Sequence, residues 1–223
     1  MNALIFAAGR GERMRPLTDI TPKPLLGVGG KRLIEWHLER FAAAGVREVV
    51  INTSHLAEQF PAALDDGGRW GLRIRYSYEG PQPLETGGGM LKALSLLGDE
   101  PFIAVNGDIW TDFDFSILAQ NPPGLAHLVM IDNPAHHPRG DFVLRDGLLH
   151  DEASPRLTFA GIGVYRPALL ADCKPGIFSI VPSLRTAMRD RQVSGEHFHG
   201  QCTDAGTPKR LAELDARLRS ATQ

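Results

Sequence analysis

The stretch MNALIFAAGRGERMRPLTDITPKPLL, residues 1–26, decides the fold class of this chain. Its first part, Asn2–Ala8, is a short and mostly apolar run, which is typical of a strand buried on both faces of a parallel sheet. Gly9 and Gly11 follow at once, together with three arginines. A glycine-rich loop after a buried strand exposes backbone N–H groups that can hold phosphate oxygens, and arginine side chains add bidentate donors. The stretch therefore predicts an α/β fold with a phosphate-binding loop after its first strand.

Two other interpretations of this loop have to be weighed. A tight turn with solvated arginines would contain the same glycines, and the residues alone leave that alternative open. A dinucleotide-binding fold also places glycines here, but its fingerprint requires a third glycine where this chain has Met14. Pro16 would also interrupt the helix that has to follow. The sequence therefore does not favour a dinucleotide-binding oxidoreductase.

Strand and helix signals alternate over the first half of the chain. The predicted strands are Asn2–Ala8, Glu48–Thr53, Leu72–Tyr78 and Phe102–Val105, and the predicted helices are Arg32–Ala44, Ala57–Leu64 and Gly89–Leu97. Such alternation predicts a mostly parallel central sheet with helices on both faces.

The second half of the chain has a different pattern. His127–Asp132, Asp141–Leu149 and Leu157–Tyr165 resemble strands separated by turn residues, which predicts a small antiparallel subregion. Helices are predicted at Ile180–Arg191 and Thr207–Arg219. No long linker or internal repeat divides the 223 residues, so we expect a single domain, 1–223.

The composition excludes several classes of function. The formal net charge of −2 provides no broad basic surface, so nucleic acid is not an expected partner. No apolar run reaches the roughly 18 residues of a membrane span, and the first apolar run is too short for a signal peptide. Two isolated cysteines, Cys173 and Cys202, indicate reduced thiols rather than a disulfide framework. We therefore expect a cytoplasmic protein without a membrane partner.

Several longer motifs resemble those of the sugar-1-phosphate nucleotidylyltransferases, also called nucleoside-diphosphate-sugar pyrophosphorylases. The motifs are AAGRGERMRPLT at 7–18 with PKPLL at 22–26, PLETGGGM at 83–90, NGD at 106–108, AGIGVYRP at 160–167 and TDAGTP at 203–208. They span nearly the whole chain. The resemblance implies a Rossmann-like fold of the GT-A type, with a nucleotide-binding half at about 1–115 and a sugar-binding half at about 116–223.

The resemblance also implies a reaction, in which a nucleoside triphosphate and a sugar 1-phosphate give a nucleotide sugar and pyrophosphate with Mg²⁺ as cofactor. The subgroup that the chain resembles most uses UTP and N-acetylmuramate α-1-phosphate in the recycling of cell-wall peptidoglycan. Guanylyl or thymidylyl transfer to another hexose 1-phosphate is an alternative, as is a nucleotide-sugar sensor without catalysis. We expect a monomer or a weak homo-oligomer.

The resemblance assigns the phosphates and the metal to particular residues. The triphosphate is assigned to Ala8, Gly9, Arg10 and Gly11. Arg15 is expected to stabilise the departing pyrophosphate, and Lys23 to bridge the nucleotide and the sugar phosphate. Asp108 is expected to be catalytic and to share Mg²⁺ with Asp204, because hard carboxylate oxygens suit this ion. From the residues alone, Lys23 could equally be an exposed lysine and each aspartate a turn or cap residue.

Base and sugar contacts are assigned in the same way. The base is assigned to Glu79, Gln82, Gly87 and Gly88, and the sugar substrate to Lys23, Asn106, Arg139, Gly140, Glu152 and Gly161. The chain departs from the family pattern at Glu85, where glycine is usual, and in lacking a lysine before Pro155. A further hypothesis is that Arg139, with His136 or His137, faces the carboxylate of the lactyl group. No further ligand at zinc-like spacing accompanies the pairs His136-His137 and His197-x-His199, so surface histidines are expected there.

Overall fold

The computed structural model describes residues 1–118, 122–153 and 155–221. Its strands are β1 (Asn2–Phe6), β2 (Gly27–Val28), β3 (Lys31–Arg32), β4 (Glu48–Thr53), β5 (Arg73–Tyr78), β6 (Phe102–Asn106), β7 (Ile109–Thr111), β8 (Ala126–Ile131), β9 (Val143–Arg145), β10 (Leu148–His150), β11 (Thr158–Tyr165), β12 (Val193–His197) and β13 (Cys202–Asp204). Its helices are α1 (Leu17–Ile20), α2 (Leu33–Ala43), α3 (Gln59–Leu64), α4 (Glu85–Leu97), α5 (Val181–Arg189) and α6 (Pro208–Ser220). None of the helices in these described residues is both long and apolar enough to cross a membrane.

Within the described residues, nine strands form one sheet in the order β5-β4-β1-β6-β11-β8-β12-β10-β9. Seven of these strands run in the same direction, and β10 and β11 run the opposite way. The prediction of a mostly parallel central sheet is confirmed. The antiparallel strands belong to this same sheet, while β2-β3 and β7-β13 form two small sheets of their own.

Apolar side chains on both faces of β1 explain its hydrophobic sequence. Ala3 and Ile5 pack in one cluster with residues of α2 and α3, whereas Leu4 packs in a second cluster with residues of α4 and α5. Successive strand residues point to opposite faces, so a strand covered on both faces needs apolar residues throughout. Full burial of one such Leu or Ile side chain contributes about 1.5–3 kcal/mol. Helices therefore cover both faces of the sheet, as predicted.

The functional residues gather where the parallel strands end. The glycine-rich loop follows β1, and Asn106-Gly107-Asp108 follows β6, its neighbour in the sheet. Strand β7 then pairs antiparallel with β13, which sets Asp204 opposite Ile109. The Ala205 N–H donates to the Asp108 carbonyl at 2.9 Å. This small sheet brings Asp108 and Asp204 together although they are far apart in the sequence.

Two predicted elements differ from the structure. Helix α4 begins at Glu85 rather than at Gly89, so the glycines of this motif lie inside the helix. The predicted strand Asp141–Leu149 is a hairpin of β9 and β10, with Asp146 and Gly147 in its turn at φ values of 52° and 74°. An Asp-Gly pair favours this kind of two-residue turn, because both positions need positive φ.

Candidate active site

Two adjoining cavities open at the carboxyl ends of the parallel strands. The first cavity, of about 630 Å³, lies between the loop after β1 and the beginning of α4. The second cavity, of about 780 Å³, is bounded by the segment after β8, the beginning of β11, β13 and α6. Arg13, Asn106 and Asp108 line both cavities, so the two meet at these residues. Both volumes lie in the range of small-molecule sites.

The predicted phosphate loop lines the first cavity. All four of its assigned residues do so: Ala8, Gly9, Arg10 and Gly11. Gly11 has a φ of 62°, and a Cβ at this position would lie 2.9 Å from Thr18 Cγ2, so only glycine fits without strain. The Thr18 hydroxyl and the Met14 N–H both donate to the Gly11 carbonyl, at 2.9 and 2.8 Å. The loop is therefore held from behind while its other side faces the cavity.

Of Arg13 and Arg15, Arg13 reaches the cavities and Arg15 does not. Arg15 lines neither cavity; its Nε lies 3.1 Å from Asp19 Oδ1, and both of these side chains are more than half exposed. Arg13 lines both cavities. The difference arises in the 3-10 turn Glu12–Met14, which buries Met14 in the core and leaves Arg13 at the cleft.

Lys23 lies at the junction of the cavities and is buried, so it is not the exposed lysine that the residues alone allowed. Its side chain is 8% exposed, and its Nζ donates to Asp108 Oδ2 at 2.5 Å. The same Nζ lies 3.8 Å from Asp204 Oδ1. Pro22 and Pro24 flank the lysine in a 3-10 turn and restrict its backbone. A buried ammonium of this kind needs its carboxylate partners, since an unpaired buried charge is costly.

The two carboxylates form a donor set that fits a divalent metal ion. Asp204 Oδ1 is buried and has no hydrogen-bond partner, although buried polar atoms are nearly always paired. The other oxygen, Oδ2, accepts from Arg210 Nη1 at 2.9 Å. Asp108 keeps 37% of its side chain exposed, which leaves an open approach from the cavities. Hard oxygen ligands on two carboxylates beside a phosphate site are the arrangement that a hard divalent cation requires.

Glu79, predicted as a base contact, holds the loop before α4 in place. Its Oε1 accepts from Asn52 Nδ2 and its Oε2 from the Leu84 N–H, both at 2.6 Å. Burial raises the pKa of the Glu79 carboxyl, and these hydrogen bonds oppose that shift. Asn52 also accepts from the Ala7 N–H at 2.6 Å and so ties this loop to the phosphate loop. Asn52 was not among the residues predicted for the site, although a polar residue at the end of the apolar strand β4 indicates a functional position there.

Gly87 and Gly88 do not line the first cavity, contrary to their assignment as base contacts. Both N–H groups donate to the Phe178 carbonyl, at 2.9 and 3.1 Å. A Cβ at Gly87 would lie 2.4 Å from Phe178 Cε2, so the glycine permits close packing of the segment before α5. Gln82 is exposed near Arg10 in a shallow depression at the edge of the first cavity.

Among the residues assigned to the sugar, Asn106 reaches the second cavity. Gly161 packs behind Asn106: its φ is 78°, and a Cβ there would lie 2.6 Å from Asn106 Nδ2. Gly140 is buried with a φ of 60°, and a Cβ there would lie 2.9 Å from the Leu157 carbonyl oxygen. Both glycines therefore shape the wall of the cavity from behind rather than line it.

Glu152 and Arg139 lie away from the cavities. The Glu152 carboxylate accepts from both terminal nitrogens of Arg145, at 2.8 and 3.1 Å, and about half of its side chain is exposed. Arg139 is exposed and lines neither cavity. Of the three residues in the hypothesis about the lactyl carboxylate, His136 and His137 line the second cavity and Arg139 does not.

The pair His197 and His199 has a third candidate ligand, contrary to the expectation from spacing. Asp132 joins them, and ligand atoms of the three residues all lie within 4.8 Å of one another. The reason is the parallel pairing of β8 with β12, which brings the ends of these strands together. His197 Nε2 lies 3.0 Å from Asp132 Oδ1. This group could hold a metal ion, but it lines neither cavity.

The fold and the site together define a class of protein. A phosphate loop after the first strand, and a buried lysine beside two carboxylates where two cavities meet, suit the transfer of a phosphate-linked group between two substrates. Residues 2–137 match the family model described as Nucleotidyl transferase, and the chain belongs to this family. It is a nucleotidyltransferase. Members of the family bind a nucleoside triphosphate and a sugar 1-phosphate and generally use a divalent metal.

Within this family, the chain is similar to two uridylyltransferases of known name. It is 48% identical to the N-acetylmuramate alpha-1-phosphate uridylyltransferase of Neisseria meningitidis serogroup B, with 97% of each chain covered. It is 36% identical to the protein of the same name from Caulobacter vibrioides, with 98% of this chain and 97% of the relative covered. Among solved structures, a UDP-glucose pyrophosphorylase in complex with UDP-glucose shares the fold, with a TM-score of 0.75 at 20% identity over 99% of this chain and 98% of that one.

Proposed function

We propose that this chain transfers the uridylyl group of UTP to N-acetylmuramate α-1-phosphate, with Mg²⁺ as the metal, in the recycling of cell-wall peptidoglycan. The observation that carries the proposal is the position of Lys23 beside Asp108 and Asp204, where the two cavities meet. The two similar uridylyltransferases supply the identity of the substrates. Because UTP is a cytoplasmic nucleotide, we propose the cytoplasm as the compartment.

In the proposed reaction, an oxygen of the sugar phosphate attacks the α-phosphorus of UTP. The bond from that phosphorus to the bridging oxygen breaks, and pyrophosphate leaves in line. The first cavity would take the nucleotide, and the second cavity the sugar phosphate. This division follows the chain: residues 1–115 supply nearly all of the first wall, and residues after 116 most of the second. We propose a single domain of two such halves that acts as a monomer or a weak homo-oligomer.

The protein residues mainly bring two anions together. Lys23 would neutralise charge between the attacking phosphate and the α-phosphate, lowering the repulsion of their approach. Arg13, which lines both cavities, would bind the departing pyrophosphate, the role assigned to Arg15 from the sequence. Asp108 and Asp204 would hold Mg²⁺, which supplies further neutralisation of phosphate charge when it is bound. Preorganised charges of this kind act without reorganisation during the reaction.

A direct test measures pyrophosphate release from each of the four common nucleoside triphosphates with Mg²⁺ and a panel of sugar 1-phosphates. We expect the highest kcat/KM for UTP with N-acetylmuramate α-1-phosphate. A preference for GTP or dTTP with another hexose 1-phosphate would replace the proposal with one of the alternative transferases. Binding of a nucleotide sugar without any pyrophosphate release would instead support the sensor.

A further inference from the structure

The second cavity is lined by several basic side chains, some of which could meet an acidic group on the sugar. Its cationic or titratable basic lining residues are Arg13, Arg210, Arg217, His136 and His137. Its acidic lining residues are Asp108, Asp204 and Glu213. A substrate with a carboxylate in addition to its phosphate could pair with one of these basic groups, and N-acetylmuramate has such a group in its lactyl ether.

Most of these basic side chains already have another role. Arg13 lies where the cavities meet and is therefore close to the phosphates. His137 Nε2 lies 3.1 Å from the Asp141 carboxylate. Arg217 donates to the Thr203 hydroxyl at 3.0 Å, and its guanidinium lies 5.1 Å from the centre of the Trp110 ring.

Arg210 and His136 form a different arrangement, in which two nitrogen groups face each other inside the cavity. Arg210 Nη1 lies 2.9 Å from His136 Nε2 and also donates to Asp204 Oδ2 at 2.9 Å. A guanidinium can only donate, so His136 Nε2 is the acceptor in this contact and carries no proton there. A carboxylate oxygen is a stronger acceptor for a guanidinium than a neutral imidazole, because both groups are charged.

The two residues also differ in how firmly they are held. Arg210 is in the first turn of α6, its side chain is 19% exposed, and its Nε donates to the Thr207 hydroxyl at 3.4 Å. His136 is on the segment after β8, and 48% of its side chain is exposed. Arg210 is thus the more firmly held donor, and a neutral His136 that accepts at Nε2 carries its proton on Nδ1, through which it can donate to an incoming anion.

We propose that Arg210 and His136 form the subsite that binds the carboxylate of an acidic sugar 1-phosphate, here the lactyl carboxylate of N-acetylmuramate α-1-phosphate. The inference rests on the proposed function. It replaces Arg139 with Arg210 as the arginine that recognises the lactyl group, because Arg210 lines the cavity and Arg139 does not. Arg210 and His136 are then the residues that separate this substrate from N-acetylglucosamine 1-phosphate.

The test varies the substrate and the protein together. The substrates are N-acetylmuramate α-1-phosphate and its lactyl methyl ester, which keeps the bulk and removes the charge. The wild type should prefer the acid in kcat/KM by about ten- to hundredfold, the usual contribution of a charge-assisted hydrogen bond. In Arg210→Gln this ratio should fall close to one, and in His136→Gln it should fall several-fold. Arg139→Gln is the matched control and should keep the wild-type ratio.

The ratio is used because Arg210 also donates to Asp204, so its replacement will lower the rate with both substrates. If Arg210→Gln is too slow to assay, calorimetric binding of the acid and of the ester gives the same comparison, and His136→Gln provides an independent one. The proposal would be overturned if Arg210→Gln kept the wild-type ratio of kcat/KM between acid and ester. It would also be overturned if Arg139→Gln lowered that ratio to about one. These results differ from failure of the proposed function, in which the wild type itself would prefer N-acetylglucosamine 1-phosphate.

Discussion

The two cavities are built in different ways from the same chain. The wall of the first cavity contains one continuous segment, Phe6–Met14, which turns sharply after β1. The wall of the second cavity is assembled from six separate parts of the sequence, from Arg13 to Arg217. A continuous loop can be identified from its own residues, whereas an assembled wall depends on which strands become neighbours. Substitutions in the two walls test this contrast, and the largest effects are expected where the walls meet.

The largest effect is expected at the two carboxylates beside Lys23, of which Asp108 lines both walls and Asp204 the second. Asp108→Asn and Asp204→Asn should each lower kcat by about a thousandfold, because each removes a charged ligand from the proposed metal site. Asp19→Asn, an exposed aspartate on α1, is the matched control and should retain activity. Circular dichroism and melting temperature would establish that the variants fold, and removal of divalent metal with EDTA should stop the wild-type reaction until Mg²⁺ is restored. Turnover close to wild type in either variant would contradict the two-aspartate site.

A smaller effect separates Arg13 from Arg15. Arg13→Ala should lower kcat by about a hundredfold, because Arg13 lines both cavities. Arg15→Ala should change it by less than about threefold, because an exposed pair such as Arg15 with Asp19 contributes little. Steady-state kinetics with UTP and the sugar 1-phosphate measure both. The reverse order would show that the loop changes conformation when the nucleotide binds.

The sequence predicted the first wall well because its determinants are local. An apolar run, two glycines and the following prolines indicate a strand, a turn that can hold phosphate and a restricted lysine, and the resemblance of the longer motifs favours the phosphate loop. Strand β4 was predicted with its observed bounds, Glu48–Thr53, since it is buried on both faces. The sequence alone did not reveal that Arg13 lines both cavities and Arg15 neither. A 3-10 turn of three residues decides which side chain reaches the cleft, and composition does not reveal that turn.

The second wall required contacts between distant segments that no local pattern contains. Packing beside the first cavity likewise depends on a distant residue, because Phe178 packs on Gly87 and Gly88 from far along the chain. Strand β12 has the polar sequence VSGEH, so its central position in the sheet results from its neighbours β8 and β10. Arg210 lies outside every motif that resembles the family, and its place beside Asp204 became visible only in the structure.

A buried histidine beneath the place where the two walls meet should make the stability of the protein depend on pH. His37 on α2 is fully buried close to the backbone of Asn106 and Ile109, and burial lowers its pKa from 6.5 to about 4. The unfolded chain therefore binds a proton more readily below pH 6.5, and stability should fall as the pH is lowered from 6.5 to about 4. Between pH 7 and pH 5 this loss amounts to about 2 kcal/mol in the free energy of unfolding.

Urea unfolding at pH 7 and pH 5 measures this effect in the wild type and in His37→Leu. The variant should lose the contribution of His37 to the pH dependence, whatever its stability at pH 7. His199→Gln, which replaces an exposed histidine, is the control. If His37→Leu and the wild type lose the same stability between the two pH values, other groups cause the acid sensitivity.

The smallest effect is expected at Glu152, where the resemblance to the family and the structure disagree most. The resemblance assigns this residue to the sugar, whereas its carboxylate pairs with Arg145 on the exposed side and lies outside the second cavity. Glu152→Gln should therefore leave KM for the sugar 1-phosphate within about twofold of wild type, since exposed ion pairs contribute little. Asn106→Ala, which alters a residue that does line the cavity, should raise the same KM clearly more. If Glu152→Gln raises KM for the sugar 1-phosphate by more than about tenfold, Glu152 contacts the bound sugar. The assignment from the family resemblance would then be correct, and the position of Glu152 in this structure would not be the one it takes with substrate.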